Sequence, residues 1–244
     1  METGPGPTAA PEHEVRQPDR GEVSRNGEAP GAHRGAYLGF VAHEVRNPLS
    51  TALWSAELLA RMPATERGGA RGEKLSAMCL RSLARVRQLV EDHFLCERLD
   101  VAGLPFRPEP LDVRELLEAI VARRPPGSPT IELRIAGLVA VEADRILLER
   151  TLDALASLAG REGAPVIVDA ATEEAVVRVT FSGHPGTWEL LEDPRKGSPG
   201  EPRGRALAGP LARRATAALR GALRVEEGAF VLALPAPAYT PRAP

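Results

Sequence analysis

The most consequential absence in this chain is a long apolar run. No stretch approaches the roughly 20 consecutive apolar residues that span a bilayer, so no membrane-crossing helix is expected. Met1 to Arg34 also lacks the apolar core of a secretory signal, which makes a cytoplasmic protein the expectation. Cysteine is nearly missing. Cys79 and Cys96 are the two present, both in a segment patterned as a helix, and they read as small apolar residues in a reducing compartment. Charge of one sign is missing too. The net charge is -2, and the 31 basic residues alternate with acids along helical stretches. Such alternation describes solvated faces and gives no pull toward nucleic acid or an anionic membrane. His93 and His184 have no Cys, His or acid at ligand spacing, so a metal site is not expected. Ser182 lacks the Gly-x-Ser-x-Gly frame of a nucleophile elbow.

What is present divides the 244 residues into four parts. Residues 1–35 are rich in Pro, Gly, Glu and Arg and cannot bury enough apolar surface to offset ordering entropy, so they are expected to be disordered. Residues 36–101 carry two helical patterns. Leu38, Val41, Val45, Leu49, Ala52, Ala56 and Leu59 recur at three- and four-residue steps. The breaker cluster from Pro63 to Gly69 follows. From about Arg71 to Leu99, a second seam comprises Leu75, Cys79, Val86, Leu89 and Cys96, with Leu83, Val90 and Phe94 alongside. Two such helices make an antiparallel hairpin, whose stripes are too wide for one partner; a homodimeric four-helix bundle is the economical solution. Residues 102–236 open with an extended, Pro-punctuated linker, Gly103 to Pro110, and then alternate helix and strand patterns as an α/β layer does. Residues 237–244 are a Pro-rich tail.

One short string carries chemistry: Phe40-Val41-Ala42-His43-Glu44-Val45-Arg46-Asn47-Pro48-Leu49. At about 100° per residue, His43 points roughly 160° away from Val41 and Val45, toward the outer face of the hairpin. Asn47 lies one turn further on the same face, and Pro48 removes a backbone donor, which should kink or loosen the helix. Imidazole is nucleophilic near neutral pH and is half neutral there, as phosphoryl relay requires.

This string resembles the H box of two-component sensor histidine kinases, in the first helix of a hairpin where that family places it. The resemblance extends from about Tyr37 to Leu234. It implies an α+β fold: a helical hairpin forming a dimeric four-helix bundle, followed by an α/β sandwich of the histidine-kinase ATPase type. It also implies that His43 is the phosphoacceptor and that Glu44 holds and deprotonates its second ring nitrogen. Asn47 would orient a water that dephosphorylates a partner's aspartyl phosphate.

The C-terminal half departs from the family pattern. Its N-box asparagines, the second a magnesium ligand, fall on Ala154 and Leu158, neither of which offers oxygen to a hard cation. Ser182 and His184 stand where Asp-x-Gly begins, and Ala206 and Ala208 replace lid glycines, with Pro210 just beyond. A phosphate lid needs close backbone approach and free N–H groups.

The sequence therefore reads as a histidine phosphotransferase and phosphatase of a phosphorelay, exchanging phosphoryl groups between His43 and response-regulator receiver domains. An upstream histidine kinase is a further partner of such a relay. ATP is not expected on this chain, and magnesium is expected on the partner receiver. Two other readings stay open: an active kinase that autophosphorylates His43 from ATP, and a non-enzymatic adaptor that docks a receiver domain or a kinase.

Overall fold

A computed structural model describes residue 1 and residues 30–101, 106–124, 128–160, 164–192 and 207–237. The expectations for residues 2–29, for residues 102–105 of the linker and for residues 238–244 lie outside the described residues, as do residues 193–206, which include the lid position Ala206.

Helix α1 spans Pro30–Arg61 and helix α3 spans Ala70–Asp100. α1 thus begins six residues earlier than the composition placed it. It continues through Pro48, which lies inside the helix. The breaker cluster ends α1 as expected, although it contains one helical turn of its own, α2 (Ala64–Arg67). The side chain of Arg67 closes this corner by donating to the Met62 and Ala60 carbonyls at 2.9 and 3.1 Å, two of the carbonyls a helix end leaves open.

The face of α1 against α3 is not the stripe drawn from the sequence. Val41, Glu44, Pro48, Ala52 and Ser55 are buried, whereas Leu38, Leu49 and Ala56 are exposed together with Leu53 and Trp54. On α3, Leu75, Leu89 and Cys96 are buried, and Leu80, Leu83, Val90 and Phe94 are exposed. The cause is geometric. Each helix has one neighbour in the hairpin, which covers a single narrow seam and leaves the remaining large apolar residues as a second stripe.

The C-terminal half is a two-layer sandwich. Strand β1 (Pro108–Asp112) pairs antiparallel with β3 (Ala140–Asp144), so the end of the predicted linker is a strand. Five further strands are β2 (Ile131–Ile135), β4 (Val166–Glu173), β5 (Val176–Ser182), β6 (Ala222–Glu226) and β7 (Ala229–Pro235). They form one sheet in the order β2-β4-β5-β7-β6, parallel between β2 and β4 and antiparallel elsewhere. Glu227 and Gly228 alone join β6 to β7, both with positive φ, as a two-residue hairpin loop requires.

One sheet face carries Val166, Val168, Val177, Val179, Phe181, Phe230 and Leu232, each fully buried. Against it lie α4 (Val113–Arg123), α5 (Arg145–Ala159) and α7 (Ala208–Ala218), with the short α6 (Trp188–Glu192) beside α7. Asp112 and Asp144 cap α4 and α5 by accepting the backbone N–H groups of Arg114 and Leu147. The fold is α+β, as expected.

Phe230 sits at the centre of this layer, its ring so close to Gly186 that a Cβ there would lie 2.6 Å away. Phe230→Ala is expected to lower stability by about 3–5 kcal/mol, visible in urea unfolding as a lower midpoint at an unchanged slope.

Candidate functional site

Helix α1 presents His43 to solvent with 63% of its side chain exposed, between the buried Val41 and the half-buried Val45. This is the outward placement that helical geometry predicted. Glu44 is 8% exposed and turns toward α3, yet its Oε1 lies 3.7 Å from His43 Nδ1. That separation is an electrostatic contact longer than a hydrogen bond. With Nδ1 facing the carboxylate, Nε2 is the ring nitrogen turned away from it.

Asn47 is half-buried, and its Nδ2 is enclosed without a hydrogen-bond partner among the described residues. Its carbonyl accepts from Thr51 Oγ1 at 3.1 Å, and the Thr51 carbonyl accepts from Ser55 Oγ at 2.7 Å. These back-bonds follow Pro48, which cannot donate to the Glu44 carbonyl. The turn therefore holds His43, Glu44 and Asn47 together, the first open to a partner and the other two set into the helix.

The positions read as departures from the nucleotide site lie elsewhere, in the C-terminal half. Ala154 and Leu158 are 7% and 5% exposed on α5, among apolar neighbours. After β5, the Ser182–Gly186 loop is fastened against α5 and the β6–β7 turn. His184 N–H donates to the Ala159 carbonyl at 2.6 Å, and Gly186 N–H donates to the Gly228 carbonyl at 2.7 Å. A Cβ on Gly183 would strike the Ala159 carbonyl oxygen, so the close packing there requires glycine. Ala206 lies outside the described residues; Ala208 and Pro210 are buried in the first turn of α7, which packs on α5. Among the described residues no group of three or more His, Cys, Asp or Glu side chains could hold a metal ion, and no described helix is long and apolar enough to cross a membrane.

One feature escaped the sequence reading. Leu207, the residue before α7, is 1% exposed and packs with Val41 and Leu89, and Phe40 and Val45 flank the cluster. The C-terminal half thus touches the turn that carries His43. Nothing local signals a contact between residues this far apart in the chain.

An enclosed amide donor without a partner adds no bond energy, and its desolvation cost offsets the packing its side chain contributes. Asn47→Ala is therefore expected to change the free energy of unfolding by less than about 1 kcal/mol; a loss above about 2 kcal/mol in chemical denaturation would show that Asn47 is a structural bond instead.

No protein-family model matches the chain. The sensor protein CseC of Streptomyces avermitilis is 35% identical over 158 residues, which make up 64% of this chain and 29% of that protein. The match thus spans under a third of that curated relative. Among solved structures, the Acinetobacter baumannii histidine kinase AdeS superposes with a TM-score of 0.56 at 18% identity, covering 80% of this chain and 98% of that one. Full-length ShkA in complex with AMPPNP gives 0.54 at 23% identity, covering 85% of this chain and 47% of that one. These two establish the shared fold, and CseC supplies the relation in sequence. Together they support a relation to the two-component sensor histidine kinases.

Proposed function

We propose that the chain is a histidine phosphotransferase, with a companion phosphatase activity, that exchanges phosphoryl groups between His43 and response-regulator receiver domains without binding ATP itself. The observation that carries this reading is the contrast between the two halves. The turn of α1 has an exposed His43 with Glu44 beside it, while α5 buries apolar Ala154 and Leu158 where the family resemblance calls for oxygen donors.

In the forward step, His43 Nε2 attacks the phosphorus of a receiver's aspartyl phosphate. The P–N bond forms as the P–O bond to the aspartate breaks, and the aspartate leaves as carboxylate. The proton on Nδ1 then faces Glu44, which stabilises the cationic ring or accepts that proton. In the reverse step, a second receiver's aspartate takes the phosphoryl group. For phosphatase action, the Asn47 amide, one turn on from His43, orients a water toward the acyl phosphate. The receiver supplies the magnesium.

A second copy of the chain completes the hairpin in this reading. Leu49, Leu53, Trp54, Leu80, Leu83 and Phe94 are all more than 45% exposed in the single chain, and a contiguous apolar face of this kind marks a protein contact. Leu53→Glu with Leu83→Glu is expected to convert a dimer to a monomer in sedimentation velocity with the helix content retained; a dimer persisting in the double variant would sink the bundle.

Phosphotransfer is tested with the purified chain, radiolabelled ATP and a panel of pre-phosphorylated receivers. Label should reach the chain from a receiver and not from ATP, and His43→Gln should remove it. Label taken directly from ATP would establish the kinase reading instead, and no label from a panel that includes the cognate receiver would leave a docking adaptor.

A further inference from the structure

The two halves of the chain meet along α3. Leu95 and Leu99 pack against the core of the C-terminal half, and Leu207 seats beside Leu89. Around this apolar contact, acids on α3 face arginines from across the interface. Arg214 Nε donates to Asp100 Oδ1 at 2.8 Å, and Arg150 Nη2 donates to Glu91 Oε2 at 2.7 Å.

Asp92 is served worst of these acids although it is the most buried. It is 8% exposed, its Oδ1 is enclosed without a hydrogen bond among the described residues, and Arg150 Nη1 stands 3.6 Å from it. Arg150 gives its short contact to Glu91, whose side chain is 47% exposed. The other charges facing the cleft of about 820 Å3 between α3, α4 and α5 do not make up the deficit. Across the interface, Arg123 is engaged by Glu149 at 2.9 Å, and Arg124 by Ser157 at 2.9 Å and Asp153 at 3.6 Å. On α3 itself, Arg87 lies against Glu91, Arg81 and Arg85 line the cleft further along, and the half-buried His93 follows Asp92. A carboxylate withdrawn from water without full hydrogen bonding disfavours the state that buries it.

We propose that the interface between the hairpin and the C-terminal half is a latch that opens and closes, with Asp92 as its release element: closure desolvates the Asp92 carboxylate, and opening returns it to water and lifts Leu207 away from the flank of His43. The latch stands on these contacts and does not depend on which reaction His43 performs. It sets how much of the α1–α3 surface beside His43 a partner protein can reach.

Burial holds the Asp92 carboxyl up at about 6 against the lowering effect of Arg150, while Asp153 and Glu91 reinforce the rise. An acid with a higher pKa in the closed state than in the open one takes up a proton on closing. Closure therefore strengthens as pH falls through 6 and weakens above it. With an ordinary value of 3.8 in the open state, the ratio of closed to open molecules rises about tenfold between pH 7.5 and pH 5.0.

The test is a distance distribution from spin labels at Arg98→Cys and Thr172→Cys, in a chain carrying Cys79→Ser and Cys96→Ala, mixed with excess unlabelled protein so that only pairs within one copy are read. Small-angle scattering of the unmodified chain over the same pH range is the second measurement. The short-distance population should grow on acidification, with the closed-to-open ratio rising about tenfold. Asp92→Asn should hold it closed at both pH values, Arg150→Ala should favour the open state at pH 7.5 while closure on acidification persists, and His93→Gln should leave the shift intact. A wild-type distribution and scattering profile indifferent to pH would overturn the latch. So would an Asp92→Asn variant that follows the wild-type curve, or a His93→Gln variant that loses it.

Discussion

The structure depends on the burial of α5 from two sides. The sheet covers one flank and α7 packs on another, so nine of its fifteen residues are buried. A helix in that position has little room for side chains that must also bind a charged ligand, because every polar atom turned inward needs a partner. Thr151 meets this condition by donating to the Leu147 carbonyl at 2.7 Å. Ala154 and Leu158 meet it by carrying no polar side-chain atom at all. The apolar character of α5 at Ala154 and Leu158 and the solidity of the C-terminal core are thus one fact seen from two directions. The Ser182–Gly186 loop, fastened to the last turn of α5, draws on the same packing.

Much of the fold was legible because periodicity reports burial against a neighbour close in sequence. The hairpin and the alternation of helix and strand in the C-terminal half have partners near at hand, and both were legible. The seam of α3 was read correctly in Leu75, Leu89 and Cys96. The seam of α1 was not, because Leu38 and Leu49 are as apolar as Val41 and periodicity cannot say which of two stripes faces the hairpin partner. A Glu, a Pro and a Ser on the covered face disguised it further. β1 was missed for a related reason: Pro108 and Pro110 read as a linker, yet they occupy a strand paired only with β3, where a missing N–H costs nothing. α6, five residues long, is too short to show a helical period.

At the site, the exposure of His43 was legible from local geometry, since two valines two residues either side fix which way the imidazole points. The closeness of Glu44 was implied by family resemblance, and the distance of 3.7 Å is what the fold adds. Contacts between the halves were not legible. Arg150 with Glu91, Arg214 with Asp100, and Leu207 with Val41 join residues that no local pattern relates. One trace of them did stand in the sequence. Asp92 occupies the covered seam of α3, three residues after Leu89 and four before Cys96, a place where an acid has no reason to be unless something across the way answers it.

The sheet order has a consequence for how the chain comes together. The hairpin closes through contacts between helices joined by a single short corner, a local event. The sheet instead must pair β2 with β4 across α5, and must then insert β7 between β5 and the edge strand β6. Such non-local registration is slow relative to helix pairing, and during synthesis the last strand emerges long after the first helices. The nascent hairpin therefore exists for a time with its seam closed but the flank at Val41 and Leu89 still uncovered, before Leu207 arrives to pack there. Closure of the hairpin and docking of the C-terminal half are then events separated in time, and their order is written into the strand connectivity.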